Sequence, residues 1–417
     1  YRSLPEYHES PALAQLVAEG KLPPIEERLP EEPLVFKTEI MVDGIGVYGD
    51  IQRRTTGMAP EAFGMFAAGL HSGWDGAQGF TNDGLVELAL MWMLKDPEPI
   101  PNLAKRWEWS DDGYTLTMYL MKGVKWSDGV EFTADDVLFT YYDVILDPNV
   151  PSFRTAGQFT FGGKVAELEK VDDYTIRWHF GIPYPVQVLF FMDSFYSGIM
   201  PAHVYKYYHP KYNPDMTYDD FLRATPPDAL PAVVLGPYVP VAYVPGQVKV
   251  YVRNPFYYKV DEQGNQLPYI DAIAWRDAGD WNARIYDLLA GTCDETPVQD
   301  ARLVSVVAAA AQNPGAHFEL IWGPFTMPYQ INLNLSLHAG VKGPRDLALR
   351  QLFRDVRFRQ AVSHLVDRAG ICEGVFGGVP SVQPFYGGFP TGCGYYDESK
   401  VVKYPYCLLY TSPSPRD

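Results

Sequence analysis

Three glycines near the start of the chain, Gly44, Gly46 and Gly49, have the G-x-G-x-x-G spacing that dinucleotide-binding proteins use to approach a pyrophosphate. That chemistry needs a strand before the glycines, a helix directly after them, and an acid about 20 residues on to hold the ribose. Here IQRRTTG follows at 51–57 without helical periodicity, and the residue about 20 positions past Gly49 is Gly69. No helix amides would meet a phosphate, so the stretch reads as a Gly-rich turn and no cofactor is expected.

Asp135 and Asp136 could be taken for a catalytic carboxylate pair. Adjacent residues on a helix point in different directions, however, and acids in a first turn are favoured by the helix dipole. Thr133 with Asp136 three residues on has the spacing of a capping box, and Asp128-Gly129 before it reads as a turn. His203 and His209 lie in a Tyr/Pro-rich loop without metal-ligand spacing, and His71, His179, His317, His338 and His364 are isolated. The four cysteines, Cys293, Cys372, Cys393 and Cys407, form no C-x-x-C and join no His pair. Nucleophile-elbow and zincin motifs are missing, and Asn334-Leu335-Ser336 is a glycosylation sequon by pattern only. No reaction centre emerges, so the chain reads as a non-enzyme without a metal.

The elements around these residues are mixed. With 417 residues the chain has room for about two or three domains of ~150 residues. A net charge of −17 argues against nucleic acid or an anionic membrane surface as partner, since both demand a basic face. Aromatics make up 14% of the chain, including 29 Tyr and 9 Trp, more than a core alone calls for. No run approaches the ~20 apolar residues of a membrane span, and residues 304–311 read as a buried Ala-rich helix. Period-2 alternation predicts half-buried strands at 114–121 (Leu116, Met118 and Leu120 on one face), 174–180 (Tyr174, Ile176, Trp178 and Phe180 on one face) and 248–253 (Val248, Val250 and Val252 on one face). Helical spacing predicts helices at 11–20, 136–147, 282–290 and 356–368, the last behind Asp355 as N-cap. The fold class is α/β with more than one lobe.

A set of segments in fixed order resembles one family. PNLAKRWEWSDDG at 101–113 and YTLTMYLMKGVKWSDGVEFTADDV at 114–137 look like the signature of the family 5 extracellular solute-binding proteins. These are the oligopeptide- and dipeptide-type receptors of ABC importers. The likeness recurs at LGPY (235–238), RNPFY (253–257), DEQGNQLPYID (261–271), LAGTCD (289–294) and DVRFRQAVSHLVDR (355–368). The glycines of 44–49 then resemble the lead-in to the first strand of that family's first lobe.

The resemblance implies a two-lobe periplasmic-binding-protein-like fold with an extra inserted domain, ligand held between lobes that close by a hinge, and no catalysis. It divides the chain into an N-terminal arm (1–37) lying on the surface, a discontinuous first lobe (38–85 and 160–275), an insert carrying the signature (86–159) and a second lobe (276–406) expected to be incomplete. Residues 407–417 match nothing before them and read as a non-native tail. Candidate ligand-lining residues are Trp74, Gln78 and Asn82 in a Gly- and aromatic-rich loop, and Gln383 and Tyr386 after GGVP at 377–380. Trp322, Phe325 and Tyr329 join them, ahead of a strand at 331–334 that carries Asn332. Arg357 could pair with a ligand carboxylate, but a surface helix arginine is the first expectation. Oligopeptide is the first expectation for the ligand, oligosaccharide the second, and a secreted polysaccharide hydrolase the third. The expected partners are that small-molecule ligand and an ABC permease, for a monomer outside the cytoplasm; the chain begins at Tyr1 without a visible signal peptide.

Overall fold

The computed structural model describes all residues except 42, 57–77, 89–97, 151–154, 193–197, 225–229, 245, 279, 281, 299, 323–330, 339, 376–396 and 408–417, with backbone alone at 40, 56, 78, 79, 88, 301 and 302. The chain divides into two units, Tyr1–Ala89 with Glu98–Pro297 and Leu90–Pro97 with Val298–Asp417.

Unit 1 opens with helix α1 (Pro11–Ala18), whose N-cap Ser10 accepts from the Leu13 amide at 3.3 Å, with Pro11 at a position where a missing amide is harmless. Helix α2 (Ile25–Arg28) and strand β1 (Leu34–Phe36) follow, and β1 pairs in parallel with Lys259–Asp261. The arm is not merely laid on the surface. Leu13, Ile25 and Leu29 are buried, and Arg28 is fully enclosed. Its guanidinium reaches the Pro255 carbonyl, Gln266 Oε1 at 3.0 Å, the Pro23 carbonyl at 3.0 Å and the Glu9 carboxylate. A buried cation is tolerable only when its donors are met in this way.

Gly49 opens strand β2 (Gly49–Thr56) directly after the glycine turn, and helix α3 (Gln78–Thr81) is the next element among the described residues. Strands β3 (Ala104–Trp109), β4 (Thr115–Leu120), β5 (Glu167–Asp172) and β6 (Thr175–His179) form an antiparallel sheet in the order β3-β4-β6-β5. Its inner face carries Leu116, Met118, Leu120, Ile176 and Trp178, as the alternation predicts, and these join the largest core cluster. Helix α4 (Ala134–Phe139) covers this core and runs on through a π-helical turn, Thr140–Ile145.

The capping box predicted at Thr133 is present. Asp136 accepts from the Thr133 amide at 3.0 Å, from Trp126 Nε1 at 3.3 Å and from the Ala202 amide at 2.8 Å, where helix α5 (Ala202–Tyr205) begins. Burial pushes the Asp136 carboxyl up while these donors pull it down. Its neighbour Asp135 faces outward to Lys170 at 2.9 Å, so the two acids never converge on one point.

A second sheet of unit 1 contains strands β7 (Tyr238–Val244), β8 (Val248–Arg253) and β10 (Ile270–Asp277), with β9 (Lys259–Asp261) being the partner of β1. Its order is β7-β8-β10-β2, antiparallel except for β10 with β2. Here the sequence expectation has the wrong phase. Lys249, Tyr251 and Arg253 are buried, whereas Val252 is exposed and Val248 and Val250 are half-buried. The cations face inward because rings receive them: Lys249 Nζ lies 5.0 Å from the Trp275 ring, and Arg253 lies 4.9 Å from the Tyr48 ring and 2.7 Å from Asp271. Helix α6 (Ala283–Leu289), the last of the unit, lies where the spacing predicts a helix and buries Ile285 and Leu288.

Unit 2 contains helices α7 (Ala301–Ala311), α8 (Pro344–Arg354), α9 (Val356–Leu365) and α10 (Arg368–Gly374). The helix expected at 356–368 forms but stops at Leu365, and a second begins at Arg368. Asp355 caps α9, and Asp367 Oδ1 accepts from the Gly370 amide at 2.9 Å to start α10, which ends the first helix before it. The Ala-rich helix α7 is not buried as expected. Val306 is 48% exposed, and Val307 is the one fully buried hydrophobic residue of this unit among the described residues. Residues 331–334 form no strand.

Candidate ligand-binding site

In unit 1, helix α3 and Asn82 lie directly on β7's approach. Gly236 donates to the Thr81 carbonyl at 3.0 Å. A Cβ at 236 would stand 2.7 Å from the Asn82 nitrogen and 2.7 Å from the Phe80 carbonyl oxygen, so only glycine lets the two backbones meet. Phe80 then packs edge-on against Tyr238 and Trp275, each at 5.8 Å. The Arg54 guanidinium covers both Phe80 (5.2 Å) and Trp275 (4.9 Å) and is neutralised by Glu295 at 2.7 Å.

The next residue, Asp83, anchors the loop in a buried polar network. It meets Lys259 at 3.0 Å and Asn102 at 2.8 Å, and Asn102 accepts in turn from the Tyr258 hydroxyl at 2.9 Å. Tyr1 donates to the Asn102 carbonyl at 2.6 Å. Burial raises the Tyr1, Tyr257 and Tyr258 hydroxyls far above their ordinary range, so they stay protonated donors. The network fixes Asp83, the residue that follows the half-buried Asn82.

In unit 2, the C-terminal end of α7 and the chain after it enclose an open depression of about 480 Å³. Ala308, Ala311 and Ala316 form its low walls, Gln312, Asn313 and Glu319 its polar groups, and Phe318 and Trp322 its aromatic surface. Trp322 is 52% exposed. Of these lining residues Glu319 is the one carboxylate, so the depression lacks the facing acid pair that glycoside hydrolysis uses. Among the described residues no group of three or more His, Cys, Asp or Glu could hold a metal ion.

The structure thus places Asn82 in a firm loop of unit 1 and Trp322 in the wall of a depression of unit 2. Gln78 begins α3, where its backbone alone is described, and Asn332 is exposed in irregular chain. Trp74, Phe325, Tyr329, Gln383 and Tyr386 lie outside the described residues. Sequence reasoning missed Gln312, Asn313, Phe318 and Glu319. The signal available was QNPGAHFE at 312–319, an Asn-Pro-Gly helix stop followed by an aromatic and an acid.

With this geometry in hand, residues 98–410 match the family described as "Bacterial extracellular solute-binding proteins, family 5 Middle". The chain belongs to the family 5 extracellular solute-binding proteins, and its mixed α/β fold is that of periplasmic binding proteins. It is 39% identical over 414 residues to the periplasmic alpha-galactoside-binding protein of Rhizobium meliloti strain 1021, a match that covers 98% of this chain and 59% of the relative. A solved periplasmic binding protein, MelB from Agrobacterium fabrum C58 in complex with stachyose, is also 39% identical, with a TM-score of 0.87 over 98% of this chain and 61% of that one. The oligopeptide-binding protein OppA is 28% identical, with a TM-score of 0.65 over 96% of this chain and 62% of its own. The chain therefore spans about three fifths of the length of the relatives it matches.

Proposed function

We propose that this chain is the solute-capturing part of an extracytoplasmic receptor for oligosaccharides of the α-galactoside type, which it hands unchanged to an ABC permease. The observation that carries the reading is the likeness, 39% identity across 98% of the chain, to a protein named for α-galactosides, and the same identity to one solved with stachyose. The oligopeptide-binding relative stands further off at 28% identity and a TM-score of 0.65. This reverses the order expected from the sequence, where the shared family signature pointed to peptides because both ligand classes use it.

The chemistry of the sites agrees. A sugar offers an apolar face of C–H groups and a rim of hydroxyls, and it carries no charge. It asks for a flat aromatic surface and for amides or acids that hydrogen-bond its hydroxyls. The role asks for a periplasmic setting, and no described helix is long and apolar enough to cross a membrane.

Thermal melting with a panel of ligands tests the proposal. A ligand that binds only the folded state raises the midpoint, and at 100 times its Kd it adds about 2.7 kcal/mol. Millimolar stachyose is expected to raise Tm by several degrees while di- and tripeptides leave it in place. The opposite pattern would return the ligand to the peptide class.

A further inference from the structure

We infer that the depression beside α7 in unit 2 is a saccharide subsite, with the Trp322 indole as stacking platform and Gln312, Asn313 and Glu319 binding ring hydroxyls. The inference rests on the oligosaccharide reading above and names the groups that carry it out. Three observations converge. The depression, about 480 Å³, is within the size range of small-molecule sites. Its wall of alanine methyls on α7 is low, so a flat ring can lie against the helix without meeting a bulky side chain. Trp322, the largest side-chain type, is 52% exposed at its rim, and water-exposed indole is stabilised when an apolar face covers it.

The polar groups are uncommitted in the way a ligand needs. Among the described residues, neither the Gln312 side-chain amide nor the Glu319 carboxylate has a hydrogen-bond partner. Asn313 Oδ1 accepts from the Gly315 amide at 3.1 Å, which leaves its NH2 to donate. Together they offer donors from two amides and acceptors from one amide and one carboxylate, a set that matches vicinal hydroxyls, each both donor and acceptor. A peptide fits less well. Glu319 could meet its amino end, but the lining has no Lys or Arg for its carboxylate, and an unpaired charge is costly to desolvate.

The test is isothermal titration of stachyose into the full chain and into Trp322→Ala, Trp322→Phe and Gln312→Ala, with melting curves alongside. Trp322→Ala is expected to weaken binding about tenfold or more, because the apolar ring surface under the sugar is removed. Trp322→Phe should stay within about threefold of the parent, because the flat surface persists. Gln312→Ala should lose about three- to tenfold, as one hydrogen-bonding amide is removed. The quenching of Trp fluorescence by stachyose should vanish in Trp322→Ala. Parent-like binding by both alanine variants would overturn the subsite while leaving the oligosaccharide reading intact. A parent chain that binds tripeptides and not stachyose would overturn both. If Trp322→Ala fails to fold, Gln312→Ala decides.

Discussion

Asp355 shows what a single side chain contributes at a helix start. Its Oδ1 accepts from the Arg357 amide at 2.9 Å, and the Arg357 guanidinium reaches both of its oxygens, the closer at 2.6 Å. The guanidinium first, then the backbone amide, lowers this carboxyl from 3.8 to about 2. A folded pKa below the unfolded one stabilises above pH 3.8, and that contribution is lost as pH falls from 3.8 to about 2. A carboxyl-carbon NMR titration is therefore expected to give a midpoint near 2, rising toward 3.8 in Arg357→Ala. A midpoint near 3.8 in the parent chain would contradict the geometry. The pairing also fixes Arg357 as a surface helix arginine, 85% exposed and already matched to its own cap.

At the scale of elements, the meeting of α3 with the start of β7 turns on one glycine. An added methyl at Gly236 meets backbone on three sides, at Thr81, Asn82 and Phe80, and backbone cannot rotate away as a side chain can. Gly236→Ala is expected to cost about 1–3 kcal/mol in a urea melt. A melt unchanged within about 0.5 kcal/mol would show that the loop yields freely.

Elements of this kind are unevenly legible in the sequence. Strands β4 and β6 of the first sheet and the caps at Thr133 and Asp355 can be read there, because alternation and cap chemistry are local. Strand β8 takes the wrong phase because hydropathy ranks Val above Lys and Arg. Nothing local says that rings at Trp275 and Tyr48 wait to receive the cations. Helix α7 reads as buried because alanine suits a core and an open wall alike.

For the molecule as a whole, the family is written in the order of its motifs, and residues 98–410 bear it out. The ligand class is not, because the signature positions serve the fold and its capping turns, as Asp136 does, more than the ligand. Of the candidate site, Trp322 is legible as one of a run of aromatics ahead of Asn332, although the strand expected at 331–334 is not formed. The amides and the acid with it are marked only by the helix stop at 312–319, and they come together where α7 ends.

The central claim is capture of a neutral saccharide without chemistry. Its most direct measurement is calorimetric titration of the chain with stachyose, followed by chromatography of the sugar recovered from the cell. The account predicts a saturable heat of binding at one sugar per chain, no heat with di- or tripeptides, and stachyose recovered whole. Heat with peptides but not with stachyose, or release of galactose from the sugar, would contradict it.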